Sequence, residues 1–203
     1  MTERPYTHLE LTAESVKVLA HPLRSRLLSA LRRGGPASAT ALAAELRTNT
    51  GATSYHLRRL EAVGLVVDTG EGRGKERLWA ASTQSHGWRN SAFADDEDAR
   101  TAMGWLQRDY QRGFDTRYAQ WLDVAETWPA AWQDALGMEE GWVEVTPEQL
   151  TAMKHELEQV VLRFREAGKG DPRARRVDLY QVSMPLDPEL APPAEPPSGE
   201  EEA

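Results

Sequence analysis

Along the first eighty residues the apolar positions come in short bursts at helical spacing, each bounded by a start or stop signal. Val16, Leu19 and Ala20 form the apolar edge of a first short helix. Pro22 suits the first turn of a second helix, where Leu23, Leu27, Leu28 and Leu31 recur before Gly34-Gly35-Pro36 ends the pattern. Ser38 is placed to cap a third, carrying Leu42, Ala43 and Leu46. After Arg47-Thr48, Asn49 is placed to cap a fourth, in which Thr53, Leu57, Leu60 and Val63 share one face. Gly64 supplies the left-handed residue that closes it. Residues 65–69 and 77–80 then read as two strands joined by a glycine-rich loop at 70–74. The order predicts helix, helix, helix-turn-helix and a two-stranded wing.

Beyond residue 83 the rhythm lengthens. Met103, Leu106, Tyr110, Phe114, Trp121, Leu122 and Ala125 recur at helical spacing through 99–126. Leu150, Met153, Leu157, Val160, Val161 and Phe164 mark a second long helix over 147–167, capped by Thr146 and closed by Gly168. Residues 142–145 and 177–184 read as strands flanking it. The pattern divides the chain into a leader (1–13), a compact winged helix-turn-helix (14–82), a polar connector (83–98) and a helical or α+β region (99–185). Residues 186–203 are rich in Pro and Glu and read as a disordered tail. The fold class is mainly α with a small β component.

Charge sharpens this division. The net charge of −8 alone argues against a nucleic-acid binder, but residues 1–83 hold 12 Lys and Arg against 8 Asp and Glu, whereas 84–203 hold 12 against 24. A basic module joined to an acidic one points only the first part at phosphate. The absence of cysteine removes disulfides, thiolate metal sites and a cysteine nucleophile. No apolar run approaches the roughly 20 residues that span a bilayer, and the leader lacks the apolar centre of a signal peptide, so the expected location is the cytoplasm, at the nucleoid. Arg outnumbers Lys 20 to 4, a usage associated with GC-rich bacterial genomes.

The stretch Val18-Leu19-Ala20-His21-Pro22-Leu23-Arg24-Ser25-Arg26-Leu27-Leu28 resembles the opening of the ArsR-type winged-helix regulators. Residues 41–46, then Ala52-Thr53-Ser54-Tyr55-His56-Leu57-Arg58-Arg59-Leu60 and Gly64-Leu65-Val66, continue the likeness in order, over about a third of the chain. The turn departs from the family pattern, with Arg47-Thr48 where a glycine and an apolar residue are common. The resemblance implies a homodimeric repressor that reads an inverted-repeat operator under control of an effector.

The fourth helix is the candidate recognition helix. With Thr53, Leu57 and Leu60 turned inward, Thr50, Gly51, Ser54, Tyr55 and Arg58 face the major groove. Arg58 suits a guanine edge. Arg47, His56 and Arg59 suit phosphate, and Arg73 and Lys75 place cations at the wing tip. The alternative is a winged helix that docks protein rather than an operator. The six tryptophans beyond residue 83 suit either a core and subunit interface or a pocket for a small-molecule effector of unknown identity. No pair among His8, His21, His56, His86 and His155 has a helical metal-ligand spacing, and neither a phosphate-binding loop nor a nucleophile elbow is present. The sequence therefore implies no enzyme, metal or cofactor.

Overall fold

Four helices crowd into about fifty residues because each is started by a side chain that takes up an otherwise unpaired backbone N–H. Thr12 accepts from Ser15 N (3.2 Å) and opens α1, Ala13–Leu19. The His21 ring accepts from Leu23 N (3.1 Å) ahead of α2, Pro22–Gly34. Ser38 caps α3, Ala39–Glu45, and Asn49 caps α4, Thr50–Glu61, accepting from Ala52 N at 2.7 Å. The computed structural model describes residues 8–72, 74 and 76–192, and the chain divides into two units, Met1–Thr146 and Pro147–Ala203.

In the first unit a small antiparallel sheet closes one side of the helices. Its strands β2 (Ala37–Ser38), β3 (Val66–Asp68) and β4 (Leu78–Ala81) lie in the order β2-β4-β3, with Trp79 opposite both Ala37 and Asp68. The sequence predicts β3 and β4. Strand β2 is a third, too short at two residues to leave a pattern. Leu27, Leu28 and Leu31 from α2, Leu42 from α3, Leu57 and Leu60 from α4, and Val66 and Trp79 from the sheet form one core with Val16 and Leu19 of α1. Each fully buried leucine contributes on the order of 2 kcal/mol of apolar transfer.

The segments read as leader and connector each carry a strand. β1 (His8–Glu10) and β5 (Ser85–Gly87) pair in parallel, with His8 opposite Ser85, and Arg89 holds Glu10 at 2.6 Å. Phe93 then enters the core, and α5, Glu97–Leu122, is capped by Asp96, which also pairs with Lys17 of α1 at 2.8 Å. Ser25 of α2 donates to Asp109 of α5 (2.8 Å). Ala99 and Leu106 are buried, but no residue of α5 beyond Tyr110 is. After α5, Trp121, Trp128 and Trp132 stack edge to face at 5.4 and 5.9 Å, the last on α6, Ala130–Ala135.

In the second unit α7, Pro147–Phe164, matches the expected helix, yet none of its residues is buried. Leu157, Val160, Val161 and Phe164 lie exposed. The expected strands at 142–145 and 177–184 are not formed. Alternating apolar residues make a strand only where a partner completes the ladder, and these segments have none among the described residues; Trp142 is 73% exposed. Of the expected tail, residues 186–192 carry neither helix nor strand, and 193–203 lie outside the described residues.

One polar cluster is built into the join between α2, β5 and α5. Arg32 donates from Nε to the Thr83 carbonyl (3.1 Å) and reaches His86 Nδ1, while His86 Nε2 meets the Tyr110 hydroxyl at 2.5 Å. A guanidinium only donates, so His86 Nδ1 must accept and Nε2 must carry the proton that goes to Tyr110. Burial, with Arg32 beside it, pushes the His86 pKa down to about 3. Burial likewise pushes the Tyr110 phenol up. Between pH 6.5 and 3 the unfolded chain thus binds a proton that the folded chain refuses, so stability rises with pH across this window and is lost as pH falls. Thermal melts should therefore show a steadily falling Tm from about pH 7 to about pH 4, with His86→Gln less stable at neutral pH and much flatter on acidification. A wild-type-like slope in that variant would show that His86 is not the group responsible.

Candidate nucleic-acid interface

What faces outward on α4 is decided by what it buries. Thr53, Leu57 and Leu60 are wholly buried, and the Thr53 hydroxyl is satisfied by the Asn49 carbonyl at 3.0 Å. The opposite side exposes Thr50, Gly51, Tyr55, Arg58 and Arg59, with Ser54 and His56 half-buried on the flanks. Tyr55 is 58% exposed, high for a large aromatic side chain. The structure thus brings Thr50, Gly51, Ser54, Tyr55 and Arg58 onto one helix surface. A Cβ on Gly51 would come within 3.3 Å of Asn49 Oδ1, so a glycine keeps the helix cap unobstructed.

Among the described residues, the side chains of Arg47, Arg58 and Arg59 make no hydrogen bond or salt bridge. Three guanidiniums on or beside one helix, each left to solvent, form the electrostatic footprint that a polyanion requires. The wing base is fixed next to them. Arg77 pairs with Asp68 at 3.4 Å and lies over the Trp79 ring at 5.8 Å, and Asp68 accepts from Gly70 N at 3.0 Å. Arg73 and Lys75, expected at the wing tip, lie outside the described residues.

The turn before α4 has an unusual closure. Helix α3 ends with Thr48 N donating to the Ala43 carbonyl (2.9 Å) and Arg47 N to Ala44 (3.3 Å). Helix α4 ends with the same pair of bonds, Leu65 N to Leu60 (3.0 Å) and Gly64 N to Glu61 (2.9 Å). Both are six-to-one, five-to-two closures that need a left-handed residue. At α4 that residue is Gly64, φ 73°, as its position in the sequence predicts; at α3 it is Arg47, φ 54°. Arg26 of α2 donates to the Leu46 carbonyl at 3.0 Å and so secures the strained turn.

Two residues that the linear pattern does not bring here lie against α4. The His21 ring sits 4.4 Å from the ring of His56, and Arg24 is close enough for its charge to bear on both. Only the crossing of α2 and α4 unites them; a helix-cap histidine and an arginine one turn later carry no sequence signal for it.

Residues 19–69 match the family model of a helix-turn-helix domain, a span running from the end of α1 into the wing. No curated protein matches the chain. The match points to DNA binding and regulation rather than enzymology.

The arginine in the turn has a measurable cost. A left-handed conformation costs a non-glycine residue roughly 1–2 kcal/mol, partly offset by the extra freedom glycine has in the unfolded chain. Arg47→Gly should therefore raise the unfolding free energy by about 1 kcal/mol, and Gly64→Ala should lower it by a similar amount, since no atom obstructs a Cβ at Gly64 and strain alone acts. Chemical denaturation measures both; a destabilised Arg47→Gly would rule out the left-handed turn.

Proposed function

We propose that the chain is a DNA-binding transcription regulator acting as a homodimeric repressor on an inverted-repeat operator. The observation that carries this reading is the outward face of α4, where Thr50, Gly51, Ser54, Tyr55 and Arg58 stand clear of the core on a helix-turn-helix frame. The N-terminal end of such a helix meets base edges in the major groove. Arg58 reads guanine, while Arg47, His56 and Arg59 hold the backbone. Arg73 and Lys75 extend the contact from the wing.

The division of labour follows the charge split: 14–82 binds DNA, 83–98 connects, and 99–185 serves assembly and input. The bare second half of α5 and the exposed apolar face of α7 suit a subunit interface. In a symmetric pair the two α4 helices enter successive major grooves about 34 Å apart, which makes the operator an inverted repeat. The described tryptophans do not gather round one cavity. Trp88 stacks on His86, Trp121, Trp128 and Trp132 form a ladder, and Trp142 is exposed. They suit the interface better than an effector pocket. A small-molecule effector, if this regulator answers one, acts through the same region. No helix among the described residues is long and apolar enough to cross a membrane.

Gel-shift titration on fragments selected from the source genome tests the reading. Affinity should fall with salt, the logarithmic slope counting the phosphates engaged. Arg58→Ala should lose roughly 1–3 kcal/mol of discrimination at one base position and leave non-specific binding almost unchanged. A stoichiometric protein partner with no affinity for any duplex would establish the protein-docking alternative instead.

A further inference from the structure

At the crossing of α2 and α4 four basic side chains converge with no acid among them. The His21 and His56 rings are 4.4 Å apart and tilted by 37°. Arg24 lies beside both rings, and the charge of Arg59 acts on Arg24. Tyr55 packs edge-on to His56 at 5.1 Å. Two polar atoms here, Arg24 Nε and His56 Nδ1, are buried and have no hydrogen-bond partner among the described residues. An unpaired buried donor costs about 1–3 kcal/mol, so a fold retains one where something outside the chain repays it. His21 Nδ1 accepts from Leu23 N, so in the neutral ring Nε2 carries the proton and is a donor. Burial and mutual repulsion lower the proton affinity of both histidines and of Arg24, as expected for cations crowded without a counter-charge. Arg24 is half-buried rather than sealed, so an anion at the surface can reach it.

We propose that His21 and Arg24 of α2, with His56 and Arg59 of α4, form a clamp for one phosphodiester of the DNA backbone. The clamp would lie on the flank of the recognition helix opposite Ser54. The proposal rests on the DNA-binding reading and adds to it a contact from α2 that positions the recognition helix without reading sequence. A carboxylate partner would need no DNA, but among the described residues none acts on this cluster; a metal ion is repelled by Arg24.

The test is salt-dependent binding of the full chain to a short random-sequence duplex and to its selected site, with melting curves on each variant. Arg24→Gln should weaken binding to both duplexes alike, on the order of tenfold at about 0.1 M salt, and make the logarithmic salt slope shallower by about one. Its base preference should be unchanged and its Tm equal to or above that of the wild type, because a buried unpaired donor has been removed. If the wild type binds and Arg24→Gln binds with the same affinity and slope, or loses Tm while its affinity holds, Arg24 is structural and the clamp is overturned while the DNA-binding reading stands. If the wild type binds no duplex, both fall. Should Arg24→Gln not fold, His21→Asn, whose side chain still caps α2, decides the matter: affinity lowered alike for both duplexes supports the clamp, and unchanged affinity overturns it.

Discussion

The burial of Thr53, Leu57 and Leu60 beneath α4 is the constraint on which the rest of the structure depends. Those three positions fix the rotation of the helix about its own axis. Once they are inside, Tyr55 and Arg58 have nowhere to go but outward, and His56 and Arg59 must lie along the flank that meets α2. Thr53 shows how tight the constraint is. A hydroxyl with no solvent exposure is tolerated because it returns a hydrogen bond to the Asn49 carbonyl one turn back. Asn49 thereby has two tasks, its side chain starting the helix and its carbonyl accommodating the one polar group in the buried stripe.

A second constraint ties that module to the long helix that follows. Arg32 spans from α2 to the Thr83 carbonyl and to His86, and His86 hands the network on to Tyr110 of α5. Such a network is worth little if incomplete, since each buried member left unpaired is costly. Its completeness is what lets polar groups sit at the junction at all. The Lys17–Asp96 pair connects the two nearer the surface, where solvent screens it, and the part-buried Ser25–Asp109 bond adds a further link. Positioning of α5 against the helix-turn-helix therefore rests chiefly on apolar packing by Phe93, Ala99 and Leu106 and on the half-buried His86.

What could be read from the sequence was local. Ser38, Asn49 and Gly64 announce helix ends through interactions within a few residues, and the spacing of Leu57 and Leu60 fixes which side of α4 is inside. The strands at 142–145 and 177–184 failed because alternation records a preference for a half-buried surface, and a ladder also needs a neighbour. The pairing of β1 with β5 was invisible for the converse reason: two three-residue strands with no alternation join across 77 positions. Arg47 is a subtler case. The departure from the usual glycine was legible, but only backbone angles show that the turn keeps its left-handed form and places the strain on arginine. The candidate contacts on α4 were legible as a face, whereas His21 and Arg24 belong to it only through the crossing of two helices.

The parallel pairing of β1 with β5 also bears on how the protein is made. During synthesis His8–Glu10 leaves the ribosome long before Ser85–Gly87 exists. The four helices and the wing between them close through short-range contacts, which form quickly, while the strand pair must wait for a far more distant closure. Until then the nascent module has one unpaired strand edge at its beginning. Completion of β5 covers that edge just as α5 begins to emerge, so the helix-turn-helix is fastened by the segments that flank it on both sides.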